Sequence, residues 1–139
     1  MPAKIVRLTD TLSVASQIDA EDIPKIAALG FRTIVNNRPD DEEPSQLPYI
    51  DARRIAEEIG VAYYYQPVTT ATLTKTEIDA FGILISRLHG NVLAHCRSGT
   101  RCYLLWAATQ LGQPGVTAEG LIQQAAERGF DISALARFA

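Results

Sequence analysis

Residues 91–96, NVLAHC, are an apolar run that ends on a histidine and a cysteine, and a helical pattern, YLLWAATQLG, begins a few residues later. Only the short stretch RSGTR and a second cysteine lie between them. An all but continuous apolar strand that hands over to a helix through so tight a loop belongs in a sheet covered by helices on both faces. The same alternation precedes it. RTIVNN (32–37) reads as a strand, and a helix is expected over 49–59 with its stop at Gly60. AYYYQPV (62–68) has the aromatic and β-branched content of a strand buried on both faces. TKTEIDAFGILISRLHG opens on a capping box, Thr74 with Glu77, and sets Ile78, Phe81, Ile85 and Leu88 on one helical face.

Strands alternating with helices pair in parallel through right-handed crossovers. Upstream, KIVRL and LSVAS flank the polar TDT and predict a hairpin. DAEDIPKIAALG predicts a helix with Asp19 as N-cap, Ile23, Ile26 and Ala27 as its apolar stripe and Gly30 as its stop. AEGLIQQAAERG adds another helix, and ISALARFA a closing turn or two. The expectation is a single α/β domain over residues 1–139, a length sufficient for one core.

Composition narrows the function. A net charge of −3 and a pI near 5.3 exclude a broad nucleic-acid footprint, which needs clustered basic residues. No apolar stretch nears the roughly 18 residues of a membrane span, and MPAKIVRLTD lacks the pattern of a secretory leader. The expected location is therefore the cytoplasm, where two cysteines point to reactivity or burial rather than a structural disulfide. With only His89, His95, Cys96 and Cys102 available, no four-ligand zinc site is expected, and no cofactor is called for.

Ligands of parallel sheets collect at the carboxyl ends of the strands, which is where Cys96 falls. Unpaired N–H groups at a helix start, curled by Gly99, make a nest for an anion. Arg101 can close that cup with a two-pronged hydrogen bond, a geometry lysine lacks. The same field favours a thiolate, so Cys96 is expected to titrate well below about 8.5 and to act as a nucleophile on a bound oxyanion. Arg97, Ser98 and Thr100 contribute mainly backbone N–H groups to this cup. Arg38, at the end of its strand, shares the sheet edge with Cys96 and either attracts anions or pairs with Asp40, Asp41, Glu42 or Glu43. Those four acids read as a solvated loop, from which Asp40 or Asp41 could supply an acid.

The path from strand through HCRSGTR to helix resembles the cysteine-dependent phosphatases of the dual-specificity type. The whole chain is closer to the phosphatase-like domain family of beta-lactamase hydrolase-like proteins. RLTDTLSVASQI, FRTIVNNRPDDEEP, QPVT and LAHCRSGTR all look like that family's landmarks. The resemblance implies a mainly parallel sheet of five strands with the hairpin at its edge. It also implies Cys96 as nucleophile, Arg101 as anion binder, and His95 as a residue that steadies the loop. A persulfide dioxygenase is the partner it suggests.

Three departures bear on the reaction. The resembled phosphatases place five residues between cysteine and arginine; here there are four, a spacing similar to that of the rhodanese sulfurtransferases. Their aspartate acid sits on the loop after the penultimate strand; here that loop, QPVTTATLT, has no Asp or Glu. Cys102 stands where they usually have Ser or Thr, and reads either as a small buried side chain or as a resolving thiol. Expelling an alkoxide without a proton donor forfeits about 10²–10⁴ in rate, whereas sulfite leaves thiosulfate unaided. The favoured expectation is thus a thiolate-dependent sulfurtransferase, with a persulfide on Cys96, a sulfane-sulfur donor and a thiol acceptor. The alternative is a phosphomonoester hydrolase acting through phosphocysteine, and a third reading is an anion- or redox-sensing module.

Overall fold

A computed structural model describes residues 3–139, so the first two residues of the expected domain lie outside it. Its five strands are β1 (Ile5–Arg7), β2 (Leu12–Ala15), β3 (Phe31–Asn36), β4 (Ala62–Tyr65) and β5 (Asn91–His95). They lie in the order β1-β2-β5-β3-β4. β1 and β2 form the expected antiparallel hairpin, and the other pairings are parallel. The mainly parallel five-stranded α/β sheet read from the sequence is the fold observed.

β5 sits at the centre, between β2 and β3, and its alternation explains its unbroken apolar run. Val92 and Ala94 point to one face, into a core with Phe81, Tyr103, Leu104 and Leu105. Leu93 points to the other, among Ile23, Ile26 and Ala56. Helices α1 (Asp22–Ala28) and α2 (Tyr49–Glu58) cover that second face. The first is covered by α3 (Lys75–Arg87), α4 (Thr100–Gln110) and α5 (Ala118–Glu127), with a closing 3₁₀ segment, Ser133–Phe138. Burying a side chain such as Phe81, 1 % exposed, contributes on the order of 2 kcal/mol. No helix among the described residues is long and apolar enough to cross a membrane.

Three local expectations are corrected. β4 is an edge strand: Tyr63 is buried but Ala62 and Tyr64 are exposed, because only β3 flanks it. The cap of α1 is not Asp19. The helix begins at Asp22, whose carboxylate accepts the Asp19 N–H at 2.8 Å, and Pro24, lacking an N–H, fits its first turn. α4 begins at Thr100 rather than after Cys102, so Arg101 and Cys102 belong to its first turn. The capping box of α3 forms as expected, with the Thr74 N–H donating to Glu77 at 3.1 Å.

Candidate active site

The carboxyl end of β5 is tied on both sides. The Cys96 N–H donates to Ala15 O at 3.3 Å, and the Asn37 N–H donates to His95 O at 2.8 Å. Cys96 is thereby fixed where the central strand meets α4, with its side chain fully buried. The chain then turns through Gly99, whose φ of +93° belongs to the left-handed region that glycine alone enters freely. A Cβ there would also lie 3.1 Å from the Phe130 ring. This turn aims the Gly99 N–H at Cys96 Sγ, 3.1 Å away.

These donors act on the thiol. The Cys96 pKa is lowered to about 6, first by the neighbouring Cys102 side chain, against the opposing effect of burial. The Cys102 amide, the charge of Arg101 and the Gly99 amide add to the lowering. Cys102 is driven the other way, well above its ordinary value, by burial and by its neighbour Cys96. The opposite shifts favour the thiolate on Cys96 and the thiol on Cys102.

His95 is buried, and its Nδ1 lies 3.4 Å from Cys96 O, so the ring touches the loop through the backbone rather than the sulfur. Burial lowers its pKa to about 4 and keeps it neutral. Arg97 and Ser98 have exposed side chains, and the Ser98 hydroxyl donates to Thr100 Oγ1 at 3.0 Å.

Arg101 is not free. Its guanidinium grips Glu42 with both prongs, Nη1 to Oε2 at 2.8 Å and Nη2 to Oε1 at 2.7 Å, and Nη1 also donates to Val68 O at 3.1 Å. Arg38, only 2 % exposed, donates from Nε to Glu42 Oε1 at 2.8 Å and from Nη1 to Gln17 Oε1 at 3.2 Å. Glu43 pairs with Arg38 at 3.3 Å and with Arg97 at 3.0 Å. The Glu42 carboxyl is held down at about 2, first by its hydrogen bond from Arg101, with burial opposing and Arg38 assisting.

The acidic loop, although Asp41 and Glu42 remain exposed, folds over the cup and lays two carboxylates on three arginines. Asp40, expected as a supporting acid, is turned away; its Oδ1 accepts the Tyr49 N–H at 2.9 Å at the start of α2. Glu42 is the residue the sequence reading missed. Its only signal there was membership of the four acids offered as partners for Arg38.

A profile of the family "Beta-lactamase hydrolase-like protein, phosphatase-like domain" matches residues 4–113. A curated relative from Xylella fastidiosa, named "Beta-lactamase hydrolase-like protein", is 35 % identical over 93 % of the chain but only 30 % of its own length. The chain thus spans less than a third of that relative. A crystal structure from Neisseria meningitidis, described as a candidate phosphatase, is 34 % identical, with a TM-score of 0.86, covering 96 % of this chain and 95 % of its own. TpbA of P. aeruginosa, in complex with phosphotyrosine, shares the fold at a TM-score of 0.71 and 18 % identity, over 96 % of this chain and 79 % of its own.

Proposed function

The chain belongs to the phosphatase-like domain family of beta-lactamase hydrolase-like proteins, and from that membership we propose that it is a cysteine-dependent phosphatase acting on phosphomonoesters. The observation that carries this reading is the pairing of a thiolate-prone Cys96, near pKa 6, just past the end of β5 with Arg101 in the first turn of α4, the helix that follows. Nucleophile and oxyanion clamp thus flank the same helix N-terminus.

In the proposed reaction the substrate's phosphoryl oxygens rest on the N–H groups at the start of α4 and on the Arg101 fork. The Cys96 thiolate attacks phosphorus, the S–P bond forms and the P–O bond to the leaving group breaks. Water then cleaves the phosphocysteine, releasing phosphate and regenerating the thiolate. Each phosphorus centre gathers charge on its equatorial oxygens in passing, which is where the N–H donors and the guanidinium act.

The sulfurtransferase expectation gives way to this one. The matching family domain is described as phosphatase-like and the Neisseria meningitidis structure as a candidate phosphatase, and neither description speaks of sulfur transfer. Its main chemical argument, the lack of a carboxylate in the 66–74 loop, also weakens once Glu42 stands at the cup from another loop. The test is paired turnover by wild type and Cys96→Ser, one assay with an aryl phosphate and the other with thiosulfate and cyanide. Phosphate release lost in Cys96→Ser, with negligible thiocyanate, is the expected result. Cys96-dependent thiocyanate without phosphate release would restore the sulfurtransferase.

A further inference from the structure

Arg38 and Arg101 treat the two oxygens of Glu42 differently. Oε1 accepts from Arg38 Nε at 2.8 Å and from Arg101 Nη2 at 2.7 Å. Oε2 accepts from Arg101 Nη1 at 2.8 Å, and among the described residues it has no other donor. Arg101 Nη1 simultaneously donates to Val68 O at 3.1 Å. The carboxylate therefore stands on the side of the cup along which residues 66–74 pass, the segment that has no acid of its own.

Resting on the phosphatase reading above, we propose that Glu42 is the proton donor of the reaction. It covers Arg101 before substrate arrives, yields the guanidinium to the substrate's oxyanion, and then protonates the leaving oxygen from Oε2. A phosphoryl group and a carboxylate present the same paired oxygens to a guanidinium fork, so one replaces the other on Arg101 without rebuilding the cup. Arg38 does not follow. It is buried and also tied to Gln17 Oε1 at 3.2 Å, so it keeps Oε1 and holds the displaced carboxylate at the rim.

The exchange changes the state of Glu42. While the two are paired, Arg101 is the largest influence holding the Glu42 carboxyl near 2. With substrate bound, Oε2 has lost its donor and faces the charge of the phosphoryl group, and both changes favour the protonated form. The charged groups around it are Arg38 at the end of β3, Arg101 and Cys96 at the junction of β5 and α4, and Glu43 with Arg97 at the rim. Protonation takes one proton from solvent. As the S–P bond forms and the P–O bond breaks, that proton passes from Oε2 to the departing oxygen, leaving an alcohol and a carboxylate. In the second half the carboxylate takes a proton from the attacking water, which completes the cycle with no other co-reactant.

A leaving-group series tests this. Phenyl phosphate, whose phenoxide is basic, depends on an acid; dinitrophenyl phosphate does not. Glu42→Gln is expected to lower kcat for phenyl phosphate by about 10²-fold or more and for dinitrophenyl phosphate by less than roughly fivefold. It should also remove the high-pH fall of the wild-type kcat. Glu42→Asp, which keeps an acid, should retain more phenyl phosphate turnover than Glu42→Gln. As a check on the cup itself, inorganic phosphate should bind Cys96→Ser/Glu42→Gln at least as tightly as Cys96→Ser.

An equal loss for both substrates, an unchanged high-pH limb, or loss of phosphate binding would overturn the assignment of Glu42 and leave the phosphatase standing. Absence of Cys96-dependent phosphate release from either ester by wild type would remove the phosphatase reading, and this inference with it.

Discussion

The thiol of Cys102 donates to the side-chain oxygen of Asn37 at 3.2 Å, joining the first turn of α4 to the chain just beyond β3 across 65 positions of sequence. Both residues are fully buried. The same sulfur is the strongest influence lowering the pKa of Cys96, so a single thiol proton faces two acceptors, the Asn37 oxygen and the Cys96 sulfur.

Removing that donor should be felt at Cys96. Cys102→Ala is expected to raise the Cys96 pKa from about 6 toward the free value of about 8.5. Cys102→Ser, with a stronger donor of similar size, should hold it at or below the wild-type value. Thiolate absorbance followed against pH reads both variants. An alanine variant that titrates like wild type would show that Cys102 only fills space.

The rate should follow the same ionisation. After correction for the substrate's own second ionisation, kcat/KM for an aryl phosphate is expected to rise with pH along a limb centred near 6. A limb near 8.5 instead would mean that the Gly99 and Cys102 donors do not activate the thiol.

Gly99 is held by two independent demands, a φ of +93° and a Cβ position 3.1 Å from the Phe130 ring. A left-handed backbone costs an L-residue about 1–2 kcal/mol before any crowding. Gly99→Ala should therefore destabilise the fold by about 2 kcal/mol or more in urea unfolding. It should also raise the Cys96 pKa, because the amide that donates to Sγ shifts with the turn. A variant as stable as wild type would refute the crowding argument.

Acid should weaken the protein in two stages. Buried His95 has a folded pKa of about 4 against an ordinary value of 6.5, so between those values the unfolded chain binds more protons and stability falls as pH falls. The loss is on the order of 3 kcal/mol across that window. Glu42 acts in the same direction lower down: its folded pKa near 2 means that stability present above 4.5 is lost as pH drops toward 2. Its side chain is 28 % exposed, so solvent screening reduces this second loss to about 1–2 kcal/mol. Urea unfolding of wild type and Glu42→Gln between neutral pH and pH 3 separates the stages: the upper one should survive the substitution and the lower should shrink.

Periodicity carried most of the architecture. The two-residue alternation hidden in NVLAHC, the capping box at Thr74 and the hairpin split at TDT each report a local preference that the packed structure keeps. Local patterning failed where neighbours decide. AYYYQPV is as aromatic as a central strand, yet β4 lies at the edge, and nothing within those residues states how many strands flank them. The start of α4 was misplaced because Thr100, Arg101 and Cys102 are ordinary loop residues until Gly99 turns the chain into the helix.

By itself the sequence determined a parallel α/β sheet and the pair Cys96 and Arg101 at the end of its last strand. Those features depend on the spacing of residues a few positions apart, which backbone geometry converts directly into shape. Only the tertiary structure decided which carboxylate meets Arg101. The path of the acidic loop is set by contacts from distant segments: Tyr65 Oη accepting the Asp40 N–H at 2.9 Å, Asp40 caught by the Tyr49 N–H, and Gln46 Nε2 donating to Pro39 O at 2.9 Å. Together they tie Asp40 to the start of α2 and carry Glu42 over the cup, 59 residues from its partner in sequence. An ion pair of that reach is selected by where packed elements bring the two chains together, and no local pattern encodes it.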